Sequence, residues 1–218
     1  METLRTCHIS TGMANVWKLY EAHARAFDRD RGRSLMERSY LSDMIARLLP
    51  GARVLDLGCG AGDPIARFFI AHGFDLTGVD AAPAMIAICR ERFPDTAWIE
   101  ADMRGLVLPL RFNAIVAWDS FFHLTRDEQR AMFPVFKKHV APGGLLLFTS
   151  GPRDGEAVGD LYGNPLFHAS LGPEEYRTLL ATFGFRVLRH QAEDPDCGLH
   201  TVWLAQAEAS GGSDGTAR

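Results

Sequence analysis

The stretch Val54-Leu55-Asp56-Leu57-Gly58-Cys59-Gly60-Ala61-Gly62 decides how the rest of the chain is read. A short apolar run over Arg53–Leu57 passes into glycines at every second position. Asp63-Pro64 follows, and it predicts a helix cap with proline at the first helical position. Glycines this close together, between a strand and a helix, let the backbone approach a ligand without side-chain obstruction. Ile65, Phe68, Phe69 and His72 then recur at helical spacing, and Gly73 ends the helix.

The same grammar repeats along the chain. Residues 74–80 read as a second strand ending in Asp80, and Pro83 opens a helix with Ile86, Cys89 and Phe93 on its apolar face. Residues 96–102 form a third strand ending in Asp102, and residues 112–119 a fourth, apolar almost throughout as at a sheet centre. Thr125-Arg126-Asp127-Glu128 is a capping box for a helix that Pro134 should kink. Residues 144–149 are a fifth strand. After the glycine-spaced segment 150–172, read as a long lid loop, come a helix over 173–183 and strands over 186–191 and 201–205. Residues 13–49 look helical and form an N-terminal cover. The pattern predicts one α/β domain over residues 1–208 and a disordered tail over 209–218.

The chain has 218 residues, 23 Lys and Arg against 27 Asp and Glu, and a net charge of −4. No apolar run nears the roughly 18 residues that a membrane span needs. A mildly acidic chain is a poor partner for nucleic acid, where phosphate contacts call for excess Lys and Arg. The first residues hold no apolar stretch of signal-peptide type, so a cytoplasmic location is expected. Cys7, Cys59, Cys89 and Cys197 share no close spacing, which suggests neither a metal site nor a disulfide framework. Cys197 and His200, in the segment DPDCGLH, are too few ligands for a metal on their own.

Glycines after a strand can simply make a tight turn, and carboxylates at strand ends are often solvated. Yet Asp56, Asp80, Asp102 and Asp119 all fall at the carboxyl ends of successive parallel strands, where such sheets bind their ligands. Asp80 is placed to accept hydrogen bonds from ribose hydroxyls. The G-x-G-x-G spacing and the acids Asp56 and Asp63 disfavour the pyrophosphate of a dinucleotide. They suit a nucleoside carrying ammonium or sulfonium charge.

In these residues the chain resembles the class I S-adenosylmethionine-dependent methyltransferases, whose first motif VLDLGCGAG matches closely. The resemblance is good over residues 50–150 and looser beyond. It implies a Rossmann-like, doubly wound sheet of seven strands, mostly parallel, with an antiparallel last strand inserted between the fifth and sixth. It implies S-adenosyl-L-methionine as cofactor. Gly58, Cys59, Gly60 and Gly62 would shape the loop around the methionine portion, and Asp56 would orient the ammonium group. Asp80 would hold the ribose, with Ala81 and Met85 nearby. Asp102 and Met103 would meet the adenine, Asp119 would face the methionine end, and Tyr20 on the cover would contact the cofactor.

Methyl transfer chiefly requires alignment of the acceptor and exclusion of water. His123 and His168 are the candidate catalytic bases, although each can equally be a packing histidine. Phe122, Tyr162 and Phe167 are the candidate walls of the acceptor pocket, and Arg31 or Arg33 could hold a substrate carboxylate. The expected activity is methyl transfer to a small organic acceptor at O, N or C. The alternatives are a cofactor-binding protein without turnover and an enzyme acting on protein side chains; a nicotinamide oxidoreductase is disfavoured by the loop.

Overall fold

The computed structural model describes residues 15–209. Cys7, the first two residues of the expected cover and residues 210–218 of the expected tail lie outside them. In chain order the helices are α1 (Val16–Asp30), α2 (Arg38–Ile45), α3 (Ile65–Ala71), α4 (Pro83–Arg92), α5 (Arg126–His139) and α6 (Pro173–Thr182). The strands are β1 (Arg53–Leu57), β2 (Asp75–Asp80), β3 (Ala97–Glu100), β4 (Phe112–Ala117), β5 (Val140–Ser150), β6 (Gly155–Leu161), β7 (Asn164–Ser170), β8 (Phe185–Asp194) and β9 (His200–Ala207).

Seven strands form one sheet in the order β3-β2-β1-β4-β5-β9-β8. The first five are mutually parallel, while β9 runs antiparallel to both neighbours, with Leu147 opposite Leu204 and Val187 opposite Ala205. This is the expected Rossmann-like sheet, last strand inserted.

Strand periodicity explains how helices cover both faces. Leu55, Leu57, Ile115, Phe148 and Trp203 point to one face, where they pack with Phe121, Phe133, Phe136 and Tyr176 from α5, α6 and the turn after β4. Val54, Ala114, Val116, Leu147 and Leu204 point to the other, against Tyr40, Met44, Phe69 and Ile86 from α2, α3 and α4. Phe148 is fully buried and stacks on Trp203 at a centroid distance of 5.9 Å. Burying it contributes about 2–3 kcal/mol. Such packing holds the strand ends, and the residues on them, in fixed relation.

Several sequence expectations need correction. The segment 150–172 is not a loop. It contains the antiparallel hairpin β6–β7, closed by Tyr162 (φ 53°) and Gly163 (φ 80°). Positive φ at both central positions is the hairpin turn whose twist matches that of its strands. Asp63 does not cap α3, which begins after Pro64 without a side-chain cap; its carboxylate instead pairs with Arg33 and Arg67, each at 2.9 Å. The expected helical cover consists of α1, which kinks at His23, and α2. The third strand ends at Glu100, because Asp102 leaves the sheet to cap a 3-10 turn over Met103–Gly105. The capping box forms at Thr125 and Glu128, and α5 runs on through Pro134. No described helix is long and apolar enough to cross a membrane.

Candidate functional site

From adjacent β1 and β4, the sheet grows towards β2 on one side and β5 on the other, which opens a crevice at the strand carboxyl ends. A cleft of about 350 Å³ lies there, roofed by α1 and the β6–β7 hairpin. The glycine loop forms its floor. The N–H groups of Gly58 and Cys59 donate to Val79 O at 2.8 and 3.1 Å, tying the loop to β2. Gly58 has φ +72°, and a Cβ there would come within 2.2 Å of the Ser120 Cβ. Ser120 is fixed in turn, its hydroxyl donating to Leu57 O at 2.7 Å. Gly60 and Cys59 line the cleft, whereas Gly62 sits beneath the loop against Trp98 and Cys89.

The four strand-end acids come together in this cleft, in different states. Asp80 is held by two backbone donors, Gly60 N–H to Oδ2 at 2.9 Å and Ala82 N–H to Oδ1 at 2.8 Å. Burial raises its pKa and these donors partly restore it. Asp56 is 3% exposed and accepts no hydrogen bond from any described residue. Burial first, and then the charge of Asp80, push it up to about 7. Asp102 caps the 3-10 turn through Arg104 N–H at 2.9 Å, and the Arg104 guanidinium holds its carboxyl below the usual range. Ala81, Met85 and Met103 line the wall between Asp80 and Asp102.

At the other end, Tyr20 on α1 meets His123. The two ring nitrogens of His123 lie 2.9 Å from the Tyr20 hydroxyl (Nε2) and 2.9 Å from Phe167 O (Nδ1). A carbonyl can only accept, so Nδ1 carries the proton and Nε2 receives the phenol O–H. His123 is therefore neutral, and burial lowers its pKa to about 4. His168 also lines the cleft, with its ring 4.9 Å from that of His123 and 5.2 Å from Phe122. Burial lowers its pKa too. Two of the expected pocket walls do not line the cleft. Tyr162 stands in the exposed hairpin turn and donates to Asp30 at 3.0 Å. Phe167 buries its ring and contributes only its carbonyl, because on alternating β7 its neighbour His168 takes the inward face.

Sequence reasoning missed Trp118 and His200. His200 lies 2.8 Å from Asp119, and its ring stacks on Trp118 at 5.5 Å. Asp119 itself has φ 49° and its N–H donates to Thr149 Oγ1 at 2.9 Å. Arg31 approaches Asp119 at 3.6 Å and buried Glu37 at 3.8 Å. An antiparallel strand inserted in a parallel sheet begins where the others end, so the first residue of β9 enters the crevice. That topological inference could have found His200. Among the described residues, no three His, Cys, Asp or Glu side chains cluster as a metal site would require.

A family model described as "Methyltransferase domain" matches residues 54–144. Among curated relatives, the chain is 31% identical over 137 residues to dTDP-3-amino-3,4,6-trideoxy-alpha-D-glucopyranose N,N-dimethyltransferase of Streptomyces venezuelae, covering 59% of this chain and 57% of that protein. It is 33% identical over 116 residues to trans-aconitate 2-methyltransferase of Methylobacterium nodulans, covering 48% of this chain and 41% of that one. The chain thus matches about half the length of these relatives. Among solved structures, an amino pentose methyltransferase from Micromonospora echinaspora with bound S-adenosylmethionine superposes with a TM-score of 0.65 at 23% identity, over 86% of this chain and 96% of that one. A 1,6-didemethyltoxoflavin-N1-methyltransferase from Burkholderia thailandensis, bound to S-adenosylhomocysteine, gives 0.67 at 19%, over 88% of each chain. At these identities the likeness shows the fold.

Proposed function

We propose that this chain is a class I S-adenosylmethionine-dependent methyltransferase, a reading supported by its fold and its matched segment, and that it methylates a small organic acceptor. The observation that carries the reading is Asp80. Its carboxylate is fixed by two backbone donors at the edge of a glycine loop that a side chain would fill, and each oxygen keeps a lone pair for a ribose hydroxyl. Asp56 fits the same group. It is a buried acid with no described partner, in the place where the ligand's ammonium would neutralise it.

Bound in this cleft, S-adenosylmethionine would supply an already activated methyl group. In this reading Gly58, Cys59 and Gly60 cradle the methionine portion, and Asp80, Ala81 and Met85 surround the ribose. Asp102 and Met103 face the adenine, Arg31 faces the ligand's carboxylate, and Asp119 shares its ammonium with Asp56. Gly62 supports the loop from below. The α1 helix and the hairpin exclude water, with Phe122 and His168 walling the acceptor.

Tyr20 meets the acceptor's reacting group, and His123 holds the phenol in place. The phenol donates to His123 Nε2, so its own oxygen is free to accept an acceptor N–H or O–H. Protonating His123 at pH 7 would cost about 4 kcal/mol, because its pKa is about three units lower. The pair therefore orients the acceptor by hydrogen bonding more than it stores a proton, which suits a nucleophile needing little deprotonation.

The test is to supply the protein with S-adenosylmethionine and a panel of small amines, hydroxyl compounds and carboxylates. Formation of S-adenosylhomocysteine dependent on one of them supports the reading. Tight cofactor binding with no turnover on the panel, but methylation of a protein in a cell extract, would favour a macromolecular acceptor instead.

A further inference from the structure

His200 has two hydrogen-bond partners that can only accept. Its Nδ1 lies 2.7 Å from Cys197 O, and its Nε2 lies 2.8 Å from Asp119 Oδ1. Both nitrogens must carry hydrogen to make both bonds, so the ring is an imidazolium whenever Asp119 is ionised. The ring is clamped against Trp118, and the Asp119 backbone is held by Thr149 in a conformation that few side chains adopt. Strained, over-determined residues of this kind cluster at functional sites.

We propose that His200 is a positioning residue whose doubly protonated ring holds the Asp119 carboxylate in the cleft as the acceptor for the ligand's ammonium group; this rests on reading the cleft as an S-adenosylmethionine site. Asp119 Oδ1 is committed to His200, and Oδ2 is bordered only loosely by Arg31 at 3.6 Å. Oδ2 is thus the oxygen left to receive a ligand. When His200 loses a proton it keeps its bond to Cys197 O, and the bare Nε2 lone pair faces a carboxylate. Asp119 is then repelled from its position.

The direction with pH follows. Its bond to Asp119 raises the pKa of His200 above the usual range for histidine. The ion pair is complete below that value and is lost as pH rises through it. The other charged or titratable groups facing the pair are Arg31 and Glu37 from the segment between α1 and α2, Asp194 and the Cys197 thiol near the turn between β8 and β9, and, on the Asp119 side, Tyr20 from α1, His123 from the turn after β4 and His168 from β7. Burial holds Glu37 and the Cys197 thiol above their ordinary values.

The experiment is calorimetric titration of S-adenosylhomocysteine between pH 6 and 8.5, into the wild type and H200Q. Glutamine can donate to Asp119 at every pH but cannot titrate. The wild type should lose affinity by about fivefold across the range through this pair, and H200Q should be weaker at pH 6 and lack that loss. The ligand's own amine titrates identically in both titrations, so the difference between profiles isolates His200. Parallel profiles would overturn the proposal while leaving the cofactor reading intact; absence of binding by the wild type at any pH would overturn both. Should H200Q fail to fold, nitrogen-15 NMR of the wild-type imidazoles decides. One ring should keep both protons to a higher pH than an ordinary histidine and respond to the ligand, and none doing so would refute the assignment.

Discussion

At the residue scale, the site turns on carboxylates placed in unlike surroundings. Asp80 meets backbone donors, Asp119 meets the His200 ring, and Asp56 meets neither. A carboxyl raised from 3.8 to about 7 costs the fold nothing below 3.8, and stability then falls progressively as pH rises through 7. Asp56→Asn should therefore stabilise the ligand-free protein by about 2–3 kcal/mol more at pH 8 than at pH 5, while weakening the binding of S-adenosylhomocysteine. Thermal melts at the two pH values check this; equal shifts at both would mean that Asp56 is not titrating. At the acceptor end, His123→Gln keeps an oxygen that can receive the Tyr20 hydroxyl. It should lower kcat by less than about tenfold, whereas loss of a true general base costs about 10²–10⁴-fold.

At the element scale, strand–glycine–helix units were legible because each carries its own local chemistry. β1 has the bounds its sequence implies, Pro83 opens α4, and Thr125 with Glu128 caps α5. The β6–β7 hairpin was not. Its turn is Tyr162-Gly163 without the usual Asn or Asp, and glycines 155, 159 and 163 suggest mobility. In the fold Gly159 instead leaves room for the His168 ring, which a Cβ would meet at 3.2 Å. Contacts of long sequence separation were equally hidden. Nothing local joins His200 to Asp119, 81 residues apart, or Asp28 to Arg92, 64 apart. That second pair docks α1 over the cleft, helped by the Glu21 carboxylate accepting from Ala84 N–H at 2.7 Å. Asp28→Asn should loosen the roof without touching the core. S-adenosylhomocysteine affinity should fall about fivefold while the Tm of the ligand-free protein moves by less than about 4 °C, read by titration and melt.

At the scale of the whole molecule, the division of labour follows from the sheet. Two hydrophobic clusters, one on each face, hold the carboxyl ends of β1, β2 and β4 rigidly, so the glycine loop and the strand-end acids face one cleft. The elements outside this framework, α1 and the hairpin, supply Tyr20 and His168 to the lining of the cleft. A ligand that binds only the folded state raises stability with its concentration, so S-adenosylhomocysteine at about 100 times its Kd should add about 2.7 kcal/mol. The most direct test of the central claim is calorimetric titration of S-adenosylhomocysteine into the wild type and Asp80→Ala side by side. Saturable binding to one site is expected in the wild type, with a loss of about 5- to 150-fold in the variant as the ribose hydroxyls lose their acceptor. Equal affinity in the two proteins, or no binding by the wild type, would contradict it.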